Sequence, residues 1–569
     1  MKMIYKSKII IGSLLAVAAI QGCKKEFLEK PPLSAITDAN FYKTDEQVMA
    51  ATSLLYSKVW FSYNDKAGFA LGDIRGGTIF YPWGGDFRSH VLFTSTGDNG
   101  HVTASWNAFF TVVAQSNLFL FNIERYGGAA VTAPVKKQAI AEARYMRALA
   151  YRYLVMNWGA VPIIENNFEK LYDTSISRNT IPSVWRFITR EMRAAAEDLP
   201  ITTAFEGRLT KWSAEGMLAR FYLTRAGVES NGGARNQQFL DSAKYYAQRV
   251  ITQSGRQLLP NYADLFKYSK SDNYTYDNNK ESLFELQWLF TGGTGTYGLG
   301  NSAIDQMSPS TELALNNWGG GYSATWWLMS QYSGFNLVGT DTLKGRTLDQ
   351  RLKATFLLPG FVYPEITSEA TNAAYVFPFT AGDFNATGIK KYMVGVSNIK
   401  GSSAQQSYPQ DTYMQRLAEM YLIYTEAVIG NNASTTDAMA IDYFNAVHTR
   451  AGLPAYQVTG AGAQGPLTLD ALFSERFKEF AMEGMAWYDI ISLHYWNPAK
   501  AYGILNSQDR GLFLARPDVM PNPTQWTLVK TSWFTERNAV VNSGNFYLPI
   551  PNTELSQAPN LQKPPVDYP

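Results

Sequence analysis

The chain has 569 residues, 46% of them hydrophobic and 17% charged, with a net charge of +2 at pH 7. This balance suits burial of a large core and gives no electrostatic case for binding nucleic acid. Beyond residue 23 no apolar run is long enough to cross a bilayer, which excludes a membrane-spanning body.

The start of the chain has three parts. Lys2, Lys6 and Lys8 form a basic region, Ile9 to Ile20 a short apolar region, and Ile20-Gln21-Gly22-Cys23 a lipobox-like end. The apolar region is too short for a mature membrane helix and reads as a signal peptide, residues 1–22. Cys23 is the single cysteine of the chain. Its position predicts a lipid-bearing N-terminus, hung from a membrane by acyl chains. Ile20 stands where Leu is usual and Gln21 where a small residue is usual, so an ordinary secretory signal is the alternative. Residues 23–42, polar and proline-containing, read as a tether, and 43–569 as a single domain.

Thr44-Asp45-Glu46-Gln47 is a capping-box pattern that predicts a helix to about Trp60. Residues 62–104 lack helical period and are rich in Gly, Asp and aromatics. A helix is predicted from about Ser105 to Arg125. Pro134 to Trp158 places Val135, Ala139, Ala143, Met146, Ala150 and Tyr153 at helical spacing, with Gly159 as a stop. Thr180 and Pro182 open the next helix, which Pro200 ends. Trp212–Ala226 and Phe239–Thr252 form a further pair, with antiparallel packing expected from the short connections. From 258 to 410 the helical period is lost, apart from a strand-like ESLFELQW at Glu281 to Trp288. So long a stretch is too much for a plain loop and reads as a functional insertion. Helices resume at Asp411–Ile429, Asp437–Ala451 and Thr468–Leu493, and the tail from Pro498 reads as irregular. The expected fold is mainly α, a frame of helical pairs over about 43–257 and 411–497. A loop-rich face with minor β content spans about 62–104 and 258–410.

Gly293-Thr294-Gly295-Thr296-Tyr297-Gly298 fits G-x-G-x-x-G after a predicted strand, but no helix follows to hold pyrophosphate. It reads as a flexible loop, and no cofactor is expected. His90, His101, His448 and His494 are scattered, without a zinc motif, and no G-x-S-x-G elbow is present. No metal is assigned. Counting carboxylates does not exclude a glycosidase pair. In Thr468–Leu493, Glu475, Glu479 and Glu483 recur on one face, and Arg476 can pair with Glu479 at i+3. Such a row suits catalysis or calcium, or a buried polar seam that locks the helix to the bundle, the reading favoured here. Gly484 in mid-helix implies a close neighbouring backbone.

ERFKEFAMEGMAWYDII in this helix resembles the C-terminal signature of SusD/RagB-family lipoproteins, the glycan-binding surface proteins of Bacteroidetes nutrient-uptake systems. FLEKPPLSAITDANFYKTDEQVMAA, EARYMRALAYRYLVMNWGAVPII, NKESLFELQW, YMQRLAEMYLIYTEA, NAVHTRAGLP and FYLPIPNTELSQAPNLQ resemble further family segments in the same order. Ser492 stands where Arg is frequent, and KPPVDY replaces the usual Asn-Pro-Gly-Tyr ending. The resemblance implies four tetratricopeptide-like helical pairs under a variable loop face, on the outer membrane. It also implies a partner, a SusC-like TonB-dependent transporter that the lipoprotein covers as a lid.

A sugar ring has apolar faces and a hydroxyl rim, so a binder presents aromatic planes beside polar groups. The chain has 14 Trp, 34 Tyr and 32 Phe, and two aromatic clusters fall in the irregular stretches. One is Tyr81 and Trp83 with Asp86 and Arg88. The other is Tyr297, Trp318, Tyr322, Trp326 and Trp327. Trp83 and Trp318 are the expected stacking residues, Tyr81, Tyr297, Tyr322, Trp326 and Trp327 further candidates, and Arg88 a polar contact. A peptide ligand would use the same groups, and a lid whose partner holds the ligand is a further alternative.

Overall fold

The computed structural model describes residues 37–81, 84–170, 173–267, 277–289, 298–307, 322–332, 335–337, 342–345, 349–367, 373–379, 387–393, 408–531 and 536–569. Cys23, Trp83, Tyr297 and Trp318 lie outside the described residues.

Helix α1 (Asp45–Ser53) starts at the capping pattern: Thr44 Oγ1 accepts from the Gln47 N–H, and Gln47 Oε1 accepts from the Lys43 N–H at 2.8 Å. The stretch after it departs from the reading as irregular chain. Tyr63–Ala67 and Ala70–Ile74 are π-helical turns, β1 is Ile79–Phe80, and α2 is Asp86–Leu92. Nearly every residue of the two π turns is buried, so no polar face exists to mark a helical period. Helix α3 (Gly100–Tyr126) starts earlier than predicted because Asn99 Oδ1 caps it, accepting from the Val102 N–H at 2.9 Å.

Helices α4 (Ala133–Trp158), α5 (Ile181–Asp198), α6 (Lys211–Val228) and α7 (Gln237–Gln253) follow the predicted periods. Gly159 stops α4 with φ 72°, a left-handed value open to glycine. Then comes the insertion, with β2 (Ser282–Leu286), β3 (Ser323–Ala324), α8 (Trp326–Ser330), β4 (Phe335–Leu337) and β5 (Thr342–Gly345). The predicted helix from Asp411 begins instead as a strand, β6 (Thr412–Arg416), antiparallel to β2 with Thr412 opposite Leu286. Helices α9 (Leu417–Ile429) and α10 (Ala438–Arg450) complete the frame.

Each frame helix packs on the next in the order α3, α4, α5, α6, α7, α9, α10. Since α7 packs directly on α9, the insertion leaves the stack and returns to the place it left. The fold is mainly helical, as expected, with small sheets. No described helix is long and apolar enough to cross a membrane.

The predicted single helix from Thr468 to Leu493 is two: α11 (Leu469–Glu479) and α12 (Ala486–His494). Between them Met482 and Gly484 take φ of 65° and 71°. The Gly484 N–H donates to Asp73 Oδ2 at 2.7 Å, so a buried carboxylate from the first third of the chain takes the place of a helical carbonyl. Arg476 pairs with Asp489 at 2.6 Å, across that break, rather than with Glu479. The tail is also more ordered than predicted. Strands β7 (Phe513–Pro517) and β8 (Trp526–Lys530) join β5 and β4 in a four-stranded antiparallel sheet. The last segment of the chain thereby holds the insertion.

Candidate functional site

Two short strands bring together described members of the two aromatic clusters, Tyr81 and Tyr322. β1 pairs antiparallel with β3, Ile79 opposite Ala324 and Phe80 opposite Ser323. Continuing that register places Tyr81 beside Tyr322, and their ring centroids lie 5.4 Å apart. Phe87 of α2 packs on Tyr81 at 5.3 Å, and Phe69 meets Tyr322 edge-on at 5.4 Å. Residues more than 230 positions apart in sequence thus form one aromatic group.

Around it, Arg88 Nη2 donates to Glu536 through the carboxylate at 3.2 Å and the carbonyl at 3.0 Å. The Trp326 and Trp327 N–H groups donate to the carbonyls of Gly511 and Asp509. Asp509 in turn accepts from Arg537 and pairs with Lys530. Insertion and tail are therefore tied together beside the aromatic group.

Two candidates differ from the expectation of exposed loop rings. Tyr322 and Trp326 are 8% and 6% exposed. Phe69 and Tyr81 cover Tyr322, while Phe513 packs on Trp326 and the Lys530 ammonium lies 5.1 Å from its ring. Both are core residues that support the face from beneath. Trp327 is half-buried against Phe477 of α11 at 5.0 Å. Tyr81 and Arg88 are likewise half-buried at the edge of the face. Glu536, which orients Arg88, escaped the sequence reading because it lies in the tail, remote from any motif.

Behind α2, His90 Nε2 and His101 Nδ1 share a hydrogen bond at 2.8 Å. Burial, then the charge of Lys66, pushes His101 down to about 3, so the pair is neutral at physiological pH and acts as packing for Phe87, 4.4 Å from His101.

The glutamates of α11 and the break after it form the expected polar seam. Glu475 pairs with Arg351 at 2.7 Å; Glu479 with Arg416 at 3.0 Å and Arg450 at 2.6 Å; Glu483 with Arg416 and Lys391, both at 2.7 Å. Burial raises Glu479, but Arg450, Arg416 and Arg351 outweigh it and hold the carboxyl below its ordinary value. Each of these glutamates is committed to buried cations, which leaves none positioned as a general acid.

A different carboxylate group lies where β2 meets β6. Asp277, Glu285 and Asp411 bring oxygens within 4.8 Å of one another. Burial, then the charge of Asp277, pushes Glu285 up to about 8, and burial, then the charges of Asp277 and Glu285, raises Asp411. At neutral pH such a group keeps a proton or takes a cation between its oxygens.

A curated SusD-like protein of Bacteroides ovatus is 32% identical over 100% of this chain and 99% of its own length. The chain belongs to the SusD family. The SusD family model itself matches residues 280–566, and a second model, "Starch-binding associating with outer membrane", matches 87–223. A crystal structure with xylogluco-oligosaccharide is 29% identical, with TM-score 0.78 over 92% of this chain and 99% of that one. A laminarin-binding SusD-like protein, 22% identical with TM-score 0.64, covers 91% of this chain and 98% of its own and shares the fold. In this SusD-family chain, both family matches meet at the aromatic group: Phe87 and Arg88 fall in the earlier one, and Tyr322, Trp326 and Trp327 in the later.

Proposed function

We propose that this protein is a glycan-binding lipoprotein of the outer-membrane surface. It captures oligo- or polysaccharide on the face around Tyr81, Arg88 and Trp327, with Trp83, Tyr297 and Trp318 as further candidates, and delivers it to a SusC-like TonB-dependent transporter. The observation that carries this reading is the meeting of Tyr81 and Tyr322 through β1 and β3, in a chain whose 29% identical relative was solved with xylogluco-oligosaccharide. Buried Tyr322 and Trp326 fix the floor, and the partly exposed rings beside them offer planes for sugar faces. Rigid support under a binding surface lowers the ordering cost on association.

The reading is one of binding rather than catalysis, because the row of glutamates on α11 and in the break after it is held in ion pairs. Anchoring through lipid on Cys23 gives the protein a fixed place beside its transporter. The test is a panel of neutral oligosaccharides, xylogluco-oligosaccharide included, titrated calorimetrically against the mature protein beside a peptide library. Saturable heat with at least one glycan and none with peptides is expected. Peptide binding alone, or release of reducing sugar, would overturn the reading.

A further inference from the structure

A cleft of about 470 Å³ lies on another part of the molecule, between the turn at 93–96, the C-terminal end of α4 and the chain at 544–550. Its wall includes Arg75, Arg178, Ser95, Thr96, Trp158 and Tyr547, and no carboxylate.

The arginines set it apart. Among the described residues most other buried guanidinium groups meet carboxylates, Arg351 with Asp349, Arg416 with Glu281, Arg235 with Glu426 and Arg476 with Asp489, Arg152 being the exception. Arg75 and Arg510 are each 1% exposed, yet among the described residues neither has a carboxylate partner. Arg510 donates to the carbonyls of Ile74, Arg75 and Val91 and closes the end of the second π turn. Arg75 donates from Nη2 to the carbonyls of Asn545 and Phe546, and its Nε is buried without a bond. Its guanidinium lies 4.2 Å from the Phe93 ring and 4.6 Å from that of Trp487, so it is held in place. Arg178, at the rim, gives one bond to the Lys563 carbonyl at 2.8 Å and keeps a buried, unbonded Nε.

Two uncompensated buried cations repel each other and are costly in a low dielectric. Burial, then the charge of Arg510, lowers Arg75 to about 9, so it remains charged at neutral pH. A packing role alone leaves unexplained why two arginines without carboxylates, Arg75 and Arg178, line one open cleft while a third, Arg510, lies behind Arg75. An anion in that cleft offsets the repulsion and meets donors already fixed in position.

We propose that this cleft is a second binding site, distinct from the aromatic face, for a small oxyanion: a carboxylate or sulfate, free or carried by an acidic sugar. Arg75 and Arg178 supply the charge, and Ser95 and Thr96 line the wall beside them.

The test uses the whole mature protein at low salt, titrated by calorimetry with glucuronate, inorganic sulfate and, as the neutral control, glucose. Glucuronate is expected to bind and glucose not. Arg178→Gln should weaken glucuronate about ten-fold or more, and Arg178→Lys, which keeps the charge, should weaken it less. Both variants should melt like wild type, because Arg178 is a rim residue with one carbonyl bond. Competition by sulfate marks a free-oxyanion site. Binding of glucuronate without competition by sulfate marks an acidic-sugar site. Absence of heat with both anions, equal binding of glucose, or unchanged affinity in Arg178→Gln would overturn the proposal. Neutral glycan binding at the aromatic face is read separately and is expected to be the same in both variants.

Discussion

Gly72 and Gly484 pass each other backbone against backbone. A Cβ on Gly72 would stand 2.3 Å from the Gly484 carbonyl oxygen and 2.4 Å from its Cα. The second π turn therefore docks on the break between α11 and α12 with no room for a side chain. Gly72→Ala should force the two segments apart and cost about 2–3 kcal/mol, as overpacking does. At Gly484 the Cβ would lie 3.1 Å from the Gly68 carbonyl, and the left-handed backbone is the larger problem. Gly484→Ala should cost about 1–2 kcal/mol, and Gly484→Leu more. Thermal unfolding checks the order; wild-type melting in Gly72→Ala would contradict the close approach.

Glu479 is the hub of the buried ion network. It accepts from Arg416, Arg450 and Arg351, whose side chains are 1%, 4% and 0% exposed. Glu479→Gln keeps the shape but leaves those cations short of one charge. Breaking a buried pair in this way typically costs about 3–5 kcal/mol. Denaturant unfolding should show a loss of that size. The folded carboxyl sits below its ordinary value, so its contribution is present above the unfolded value and is lost as pH falls through the folded one. Wild type should therefore lose its advantage over Glu479→Gln in acid, and a difference independent of pH would remove the charge argument.

Asp73 behaves in the opposite sense. Burial pushes it up to about 7, against the hydrogen bonds from Thr78 and Gly484 that favour its charge. The folded state holds the proton more tightly than the unfolded chain does. Its contribution is full below about 4, falls between about 4 and 7, and is flat above. The stability of wild type relative to Asp73→Asn should thus decline across that window, at most by about 1.4 kcal/mol per pH unit. Urea unfolding at several pH values measures it, and a flat difference would place the group outside this range.

The frame was legible because α5 and α7 have one polar side and several helices have recognisable ends: Thr180 with Pro182 at α5, Gly159 after α4, Asp437 before α10. The seam of glutamates was legible as a seam, though not its partners. What escaped depends on distant chain. The π turns at 63–74 are covered all round and leave no period. The break before α12 is made by Asp73, 411 positions earlier, and the pair Arg88–Glu536 spans 448. The strands β1 and β3 have two residues each, too short for any alternation to show. Tyr322 and Trp326 read as exposed because their covers, Phe69, Phe513 and Lys530, lie elsewhere in the sequence.

Cys23→Ala should move the protein from the membrane fraction to the soluble one. One acyl chain holds a protein only marginally, whereas several hold it stably. Fractionation with and without the substitution tests this, and unchanged retention would rule out lipid as the anchor. Protease shaving of intact cells then tests the surface location, for which cleavage is expected.

The aromatic face should separate binding from folding residue by residue. Tyr322 is walled in by Phe69 and Tyr81, and Trp326 by Phe513. Truncating either to Ala opens a cavity, with a loss of about 3–5 kcal/mol expected for a buried aromatic. Tyr81 keeps an open side, and Trp83 follows it two residues on. For Tyr81→Ala, Trp83→Ala and Trp318→Ala the expected loss is in affinity, on the order of 1–2 kcal/mol each, or about ten-fold, with melting close to wild type. Arg88→Ala should weaken binding by removing a rim contact, and Glu536→Gln should do so less, because it only loosens the arginine. The measurements are calorimetric titration with the glycan that binds wild type and a melting curve for every variant. If Trp83→Ala and Trp318→Ala both bind like wild type, the platform lies elsewhere on the molecule. If Tyr322→Ala keeps its stability and loses only affinity, the ring belongs to the binding surface and its burial beneath Tyr81 is relieved when ligand arrives.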